Sequence, residues 1–478
     1  MSDARVRLPE LVERMPGRER EIVRRLAHAF DAAGHELYLV GGIVRDLLLD
    51  RGRTDLDFTT SATPEETKRA GAGARPAATF AIGEKFGTIG FVFQQPGEPD
   101  IVVEITTYRS EVYPTPDRRP AVSHDATLRD DLSRRDFTIN AMALDPLDGE
   151  LIDPFGGIGD LGRREIVAVG DPVERFNEDP LRILRAARFA AQLGFSIEAD
   201  TLEAMCALGP QLARISRERI AAELNKLLVG PHVADGLRAL HEAGLIRWVL
   251  PEAQPMAEDD RDSVGARHKD IWEHTVRVVA QSPPRLAVRW AALLHDAAKP
   301  MTRAVDASGE VHFFGHEHLG ADLARRALRR LRQERALIER VARLIELHLR
   351  PAGYDETWTD SAVRRLMLEA GDVLDDLLDL VAADVTSARA ERRREAARRM
   401  QALREHIARL EAEHALAQLQ SPLNGDELMA IFGRPPGRWI AEIKDHLRDL
   451  VIDGELAPGD KDAALAEARR WMAERYPT

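Results

Sequence analysis

Cysteine is nearly absent from the chain. Its 478 residues hold one, Cys206, which rules out an internal disulfide framework and a cysteine-based zinc finger. Aromatic residues are scarce at 5%, while Ala, Leu and Arg abound, so the composition leans helical. No segment approaches the ~20 apolar residues needed to span a bilayer, and the opening stretch MSDARVRLPELVERMPGRER lacks the apolar core of a secretory signal. No membrane partner and a cytoplasmic location are therefore expected. An excess of positive charge is missing too. With 67 Lys+Arg against 80 Asp+Glu the net charge is -13, which excludes a small basic DNA-binding module and requires any nucleic-acid surface to be local.

What is present points to several folding units, because the length exceeds the roughly 100–200 residues of one domain. Strand signals crowd the first third: ELYLVGG (36–42), TDLDFTT (54–60), GTIGFVF (87–93) and DIVVEITTYR (100–109). Beyond about residue 172 such runs nearly vanish, and apolar residues recur three and four apart between short Gly/Pro breaks. The chain reads as an α/β head followed by a helical body. A polar, acidic stretch at 251–270 suits a domain junction, and histidines become frequent just after it.

Two features of the head suggest chemistry. Gly41 and Gly42 fall where a strand ends and a helix begins, letting backbone approach a phosphate closely, and Arg45 one turn on could add a charge-assisted bond. A dozen residues later Asp55 and Asp57 stand two apart in a strand pattern, so both carboxylates emerge on one face. Two such groups repel unless a cation lies between them, and hard oxygen ligands suit Mg²⁺.

The run LVGGIVRDLL…TDLDFTTSATPEE resembles the head of the class II template-independent RNA nucleotidyltransferases, which include CCA-adding enzymes and bacterial poly(A) polymerases. RRDFTINAMALD (134–145), DPFGGIGDL (153–161), NEDPLRILRAARFAAQLGF (177–195) and ISRERIAAELNKLL (215–228) follow in the family's order. The resemblance implies an α/β nucleotidyltransferase head, a small mixed sheet with helices, followed by an all-α neck, an HD domain and a helical tail. Their expected extents are 1–25 for an N-terminal extension, 26–152 for the head, 153–264 for the neck, 265–390 for the HD domain and 391–478 for the tail. It further implies that Asp55 and Asp57 bind the catalytic Mg²⁺ ions and that Arg135 contacts a triphosphate. Glu104 is then either a third carboxylate activating the primer's 3′-hydroxyl or an ordinary strand-edge acid. DPFGG would be a hinge.

EDPLRILRAARF carries its own chemistry. Asp179 and Arg182, three apart on an expected helix, would be neighbours offering one acceptor and a fork of donors. Cytosine and adenine match that pair. Uracil and guanine would set a carbonyl against the carboxylate, a mismatch that can cost ~10⁴–10⁵ in discrimination. Arg185 and Arg188 continue the arc and suit a triphosphate. The segment FAIGEKFGTIGFVF (80–93) has the G-x-K-x-G-T form of CCA-adding enzymes and not the basic variant of poly(A) polymerases.

Function is thus expected to be addition of C, C and A to the tRNA 3′ end from CTP and ATP, with an A-adding enzyme or a poly(A) polymerase as the alternative. A second constellation lies downstream. His274, His295-Asp296, His316, His318, His348 and Asp384 follow the order of the HD superfamily of metal-dependent phosphohydrolases, implying a transition metal on His274, His295, Asp296, His316, His348 and Asp384. HD-type hydrolysis as the main activity is therefore another alternative. His124-Asp125, in a polar loop, reads as accidental. Arg-rich stretches at 324–335 and 390–404 could contact tRNA phosphates, or be solvated helices laced with ion pairs.

Overall fold

The computed structural model describes residues 4–52, 55–82, 87–112, 121–123, 126–258, 271–355, 357–386, 390–417, 421–452, 455–457 and 459–476. His124 and Asp125, residues 83–86 of the G-x-K-x-G-T segment and 259–270 of the expected junction lie outside them.

Among the described residues, ten strands occupy the head. They are β1 (Ala4–Arg7), β2 (Leu37–Val40), β3 (Leu56–Thr60), β4 (Ala78–Ile82), β5 (Thr88–Phe93), β6 (Ile101–Thr107), β7 (Ser110–Val112), β8 (Ala121–Ser123), β9 (Ala143–Leu144) and β10 (Glu150–Asp153). Eight form one sheet in the order β1-β10-β9-β2-β3-β6-β5-β4, with β7 and β8 pairing as a separate ribbon. Every pairing in the large sheet is antiparallel except β3 with β6, which sets Asp57 beside Glu104 and Thr59 beside Thr106. The sheet is therefore mixed. Alternation in β6 buries Ile101, Val103 and Ile105 and leaves Val102 and Glu104 exposed, as expected of a strand with one face on a core. That core is covered by helices Gly17–Ala32 and Pro64–Ala72. The first buries Ile22, Val23, Leu26, Ala27 and Phe30, the stripe that a 3.6-residue period produces.

The body is helical, as expected, with exceptions too short to stand out in the sequence. Glu165–Ile166 pairs with Ser196–Ile197, and Arg303–Val305 forms a hairpin with Val311–Phe313. In the neck, helices Leu181–Leu193, Arg217–Leu228 and Val233–Glu242 pack together. Helices Ile271–Gln281, Leu286–Leu294, His316–Arg330 and Arg335–Leu347 follow. Arg289, 5% exposed, ties them to the neck by donating to the carbonyls of Leu228 and Ser282 at 2.8 and 2.9 Å.

In the DPFGG segment, expected as a hinge, one glycine is closely packed. A Cβ on Gly157 would sit 2.3 Å from the Thr138 carbonyl oxygen, so that glycine serves close packing. The Asp153 carboxylate accepts from the Gly157 and Ile158 amides at 2.8 and 2.9 Å and braces the turn.

Contacts divide the chain into two units, Met1–His348 and Leu349–Thr478. In the second, helices Asp360–Ala370, Leu374–Ala383 and Ala390–Ala417 precede Gly425–Phe432, Arg438–Ile452 and Lys461–Arg475. The last three share a core of Leu428, Trp439, Ile443, Leu447, Trp471 and neighbours. Among the described residues no helix is long and apolar enough to cross a membrane.

Candidate active site and histidine cluster

A cavity of about 680 Å³ opens between the head sheet and the neck helices. Gly41, Gly42, Arg45, Asp55, Asp57, Arg135, Asp179, Arg182, Arg185 and Arg188 all line it. Gly41 ends β2 with φ +77°, a left-handed conformation that favours glycine, and a Cβ there would lie 3.1 Å from the Arg135 guanidinium. The glycine thus makes room for that cation.

Asp55 immediately precedes β3 and is exposed; Asp57, within the strand, is half-buried. Burial, then Glu104, pushes the Asp57 carboxyl up to about 6, with Asp55 adding to the rise and Arg135 opposing it. Glu104 lies on the neighbouring strand and is exposed; it does not line the cavity. Crowded carboxylates of this kind are stabilised by a bound cation.

The opposite wall is basic, and its arginines have acidic partners. Asp136, held at about 2 despite its burial chiefly by Arg185, accepts from Arg185 Nε at 2.7 Å and from Asn140 at 3.1 Å. Arg45 forks onto Asp46 at 2.8 and 3.0 Å and donates to Asn140 at 2.8 Å. Arg182 donates to Glu178 and to the Arg134 carbonyl, each at 2.6 Å. Arg188 bonds Glu223 at 2.5 Å, and its guanidinium carbon lies 3.9 Å from the centre of the Phe189 ring. Asp136 and Asn140 brace the head–neck junction, and the arginines reach the cavity from acid-paired positions.

One expectation requires correction. Asp179 and Arg182 do not share a helix: helix Pro172–Glu178 ends before Asp179, which is extended at φ −139° and ψ 99°, and the next helix begins at Leu181. Pro180 causes the break, because its ring disfavours helical backbone at the residue before it. Asp179 Oδ1 accepts from the amide of Leu181, the first residue of the new helix, at 3.1 Å, while Oδ2 accepts from Arg219 at 2.8 Å. Both members of the pair still face one cavity. Arg134, Arg219 and Lys226, not singled out from the sequence, line it as well. Arg134 had a signal, the doubled arginine of RRDFT.

The second cluster is drier. His295 and Asp296 are each 1% exposed, His348 3% and His316 6%. Asp296 Oδ2 lies 3.3 Å from both His274 Nε2 and His295 Nε2, and its Oδ1 lies 3.8 Å from His316 Nε2. The Nδ1 atoms of His295, His316 and His348 bond the carbonyls of Ala292, Phe313 and Ile345 at 2.8, 2.7 and 2.5 Å. Those bonds fix the rings with Nε2 turned to the carboxylate, the arrangement of metal-ligating imidazoles. Asp296, His316 and His348 offer ligand atoms all within 4.8 Å of one another, and Asp296 Oδ1 and His316 Nε2 are buried without a hydrogen-bond partner. The donor set fits a transition metal. Burial opposes the Asp296 charge, yet His295, His274 and Lys299 hold its carboxyl well below the usual range. His318 is largely exposed and stands apart, and Asp384 belongs to the second unit, capping helix Leu374–Ala383.

The Arg-rich stretches are laced with ion pairs. Arg325 and Arg329 share Glu339, Arg330 binds Glu252, Arg332 binds Glu218, and Arg404 binds Asp379.

A glycine turn beside strand carboxylates, facing an arginine wall on a helical neck, defines a nucleotidyltransferase. Family models agree: the poly A polymerase head domain matches residues 37–167, the probable RNA and SrmB-binding site of polymerase A matches 194–256, and the HD domain matches 269–411. The CCA-adding enzyme of Geobacillus sp. (strain WCH70) is 32% identical over 443 residues, 92% of this chain and 94% of that protein. An A-adding tRNA nucleotidyltransferase of Deinococcus radiodurans is 34% identical over 454 residues, 91% and 95% of the two chains. The crystal structure of the Bacillus stearothermophilus CCA-adding enzyme in complex with CTP aligns with TM-score 0.59 and 29% identity, covering 96% of this chain and 100% of that one. The chain belongs to the family of CCA-adding enzymes.

Proposed function

We propose that this chain adds C, C and A to the 3′ end of tRNA from CTP and ATP, without a nucleic-acid template. The observation that carries the reading is the single cavity in which Asp55 and Asp57 face Arg135, Asp179, Arg182 and Arg185. Asp55 and Asp57 would hold Mg²⁺, and Glu104 beside them keeps the local charge negative. Bound there, the ion supplies Lewis-acid activation of the attacking hydroxyl and charge neutralisation on the leaving group. The protein's own groups do the rest. Arg135, with Arg185 and Arg188 behind it, orients the triphosphate so that the primer's 3′-oxygen attacks the α-phosphorus in line and pyrophosphate leaves. Asp179 accepts from the exocyclic amino group of C or A, while Arg182 donates to the ring acceptors. The head is taken as 26–152, with residues 1–25 adding β1 and the first turns of helix Gly17–Ala32 to it, the neck as 153–264, the HD domain as 265–390 and the tail as 391–478, and the protein works in the cytoplasm.

A second reading, addition of the terminal A alone, is favoured by the likeness to the A-adding relative. A separate, HD-type hydrolytic activity is supported by the ring orientation of His295, His316 and His348 beside Asp296 and would also draw on His274. One experiment separates these: incubation with Mg²⁺, each labelled nucleotide and tRNA lacking its CCA end. Two C and one A incorporated per tRNA is the expected result. Incorporation of A alone, or of long A tracts, rejects the CCA reading, and phosphate release without incorporation favours the HD site as the main activity.

A further inference from the structure

Asp131 is fully buried in helix Leu128–Ser133 and plays no part in the chemistry described above. A buried carboxylate needs partners on both oxygens, and Asp131 has them on β3 and on the turn that follows its own helix. Its Oδ1 accepts from Arg134 Nε at 3.1 Å and Arg134 Nη2 at 2.6 Å. Its Oδ2 lies 3.3 Å from Arg135 Nη2 and 3.2 Å from the Thr59 hydroxyl. Thr59 in turn lies 3.1 Å from the Thr106 carbonyl oxygen. Thr59 and Thr106 are register partners two residues beyond Asp57 and Glu104 on the parallel pair β3/β6, so they share the face that carries those carboxylates.

The carboxylate therefore joins the strand pair that carries the acidic wall to two cations of the basic wall. The link extends further, because the Arg134 carbonyl accepts from Arg182 at 2.6 Å. Arg135 lines the cavity and has a buried Nε without a hydrogen-bond partner. Asp131 holds one edge of that guanidinium and leaves donors facing the cavity. We infer that Asp131 is a positioning residue: it fixes Arg135 and Arg134 against β3, setting the distance between the triphosphate-binding arginines and the carboxylates Asp55 and Asp57. Burial opposes its charge, but Arg134 and Arg135 keep its carboxyl below the usual range, so it acts as an anion throughout.

The inference rests on the nucleotidyl-transfer reading, and the test separates the two. The full chain and its Asp131→Asn variant are compared for C and A incorporation into tRNA lacking CCA, and for binding of CTP against CMP, which lacks the β- and γ-phosphates. Asn keeps the size but cannot neutralise two guanidiniums, and loss of charge-assisted bonds of this kind is expected to weaken CTP binding and raise its KM by roughly 10–100-fold. CMP affinity and the preference of C and A over U and G stay within about twofold, which a general loss of structure would not allow. If Asp131→Asn does not fold, Thr59→Val removes the hydroxyl alone and should raise the KM for CTP by roughly 3–10-fold with CMP binding intact. Unchanged CTP binding in a folded variant, or an equal loss for CTP and CMP, overturns the inference. Absence of incorporation by the wild-type chain overturns the transfer reading instead.

Discussion

In the head cavity Asp55 and Asp57 stand exposed and half-buried at the rim of an open pocket, with Glu104 beside them, and the arginines opposite are each held by an acid. In the histidine cluster the roles are reversed: one carboxylate, Asp296, is 1% exposed and three imidazoles surround it with their far nitrogens anchored to backbone carbonyls. The electrostatics differ in the same sense. Burial and neighbouring acids push Asp57 up to about 6, whereas His295 and its neighbours hold Asp296 well below the usual range. Under the proposed function, the anionic rim would be completed by a cation and a polyphosphate, its arginines exchanging a carboxylate for a phosphate. The imidazoles, already oriented by backbone, would need a metal alone. On that reading one pocket serves turnover of different ligands and the other the retention of one.

The strongest way to break this contrast is to remove one carboxylate from each site. Asp57→Ala is expected to lower C and A incorporation by ~10³-fold or more, because no other group replaces it between Asp55 and Glu104. The Mn²⁺ that survives exhaustive dialysis against metal-free buffer, which the histidine cluster would hold, should be unchanged by mass spectrometry. The next largest effect is the converse one. His295→Ala should weaken retention of Mn²⁺ or Ni²⁺ by roughly 10–100-fold, the range seen when a site's orienting or ligating shell is damaged, while incorporation stays within about twofold. Loss of both properties in either variant would show that the two regions are one site.

A smaller effect sharpens the contrast within the head. On the proposed reading Asp179 accepts from the exocyclic amine, and its Oδ2 already accepts from Arg219. Asp179→Asn presents a donor as well as an acceptor, so a uracil or guanine carbonyl can be satisfied there. Discrimination of CTP over UTP, taken as the ratio of kcat/KM values, should fall by roughly 10–100-fold, with metal retention unaffected. A ratio equal to that of the wild type would remove Asp179 from nucleotide selection.

Much of this was legible in the residues because it depends on local pattern. The alternation of IVVEITT places Glu104 on the open face, the strand pattern of TDLDFTT keeps Asp55 and Asp57 together, and the order of the histidines anticipates the cluster around Asp296. What escaped depends on contacts distant in sequence. Asp131 sits in DATLRDDLS, where it looks like a solvated helix acid, and nothing local reveals that Thr59 lies above it. Glu223 and Arg219 stand more than thirty residues from Arg188 and Asp179, so the pairing that sets the arginines' geometry could not be seen. The helix expected to carry Asp179 failed for a local reason, Pro180, whose effect on the preceding residue outweighed the spacing of three. At DPFGG the residues alone did not show that Gly157 lies against Thr138, a packing role that glycine also serves.

The smallest expected effect concerns stability. A carboxyl with a folded-state value of about 6 against an ordinary value of 3.8 binds its proton more tightly in the folded chain than in the unfolded one. Stability therefore falls as pH rises from about 4 to about 6 and stays low above that, the opposite of a salt-bridged aspartate. Asp57→Asn removes the penalty. With divalent ions chelated at pH 8 the variant should exceed the wild type by on the order of 1–2 kcal/mol, after discounting for partial exposure, which raises the melting temperature by roughly 2–4 °C. At about pH 3 and below the two should converge, since the wild-type carboxyl is then largely protonated in both states. Excess Mg²⁺ at pH 8 should reverse the order, because only the wild type gains from binding the ion. His295→Ala leaves the head untouched, so it should retain the wild-type response of the Asp57 region to Mg²⁺. A variant no more stable than the wild type at pH 8 would mean that Arg135 already balances the rim, and that the head is as complete before its substrate arrives as the histidine cluster is before its metal.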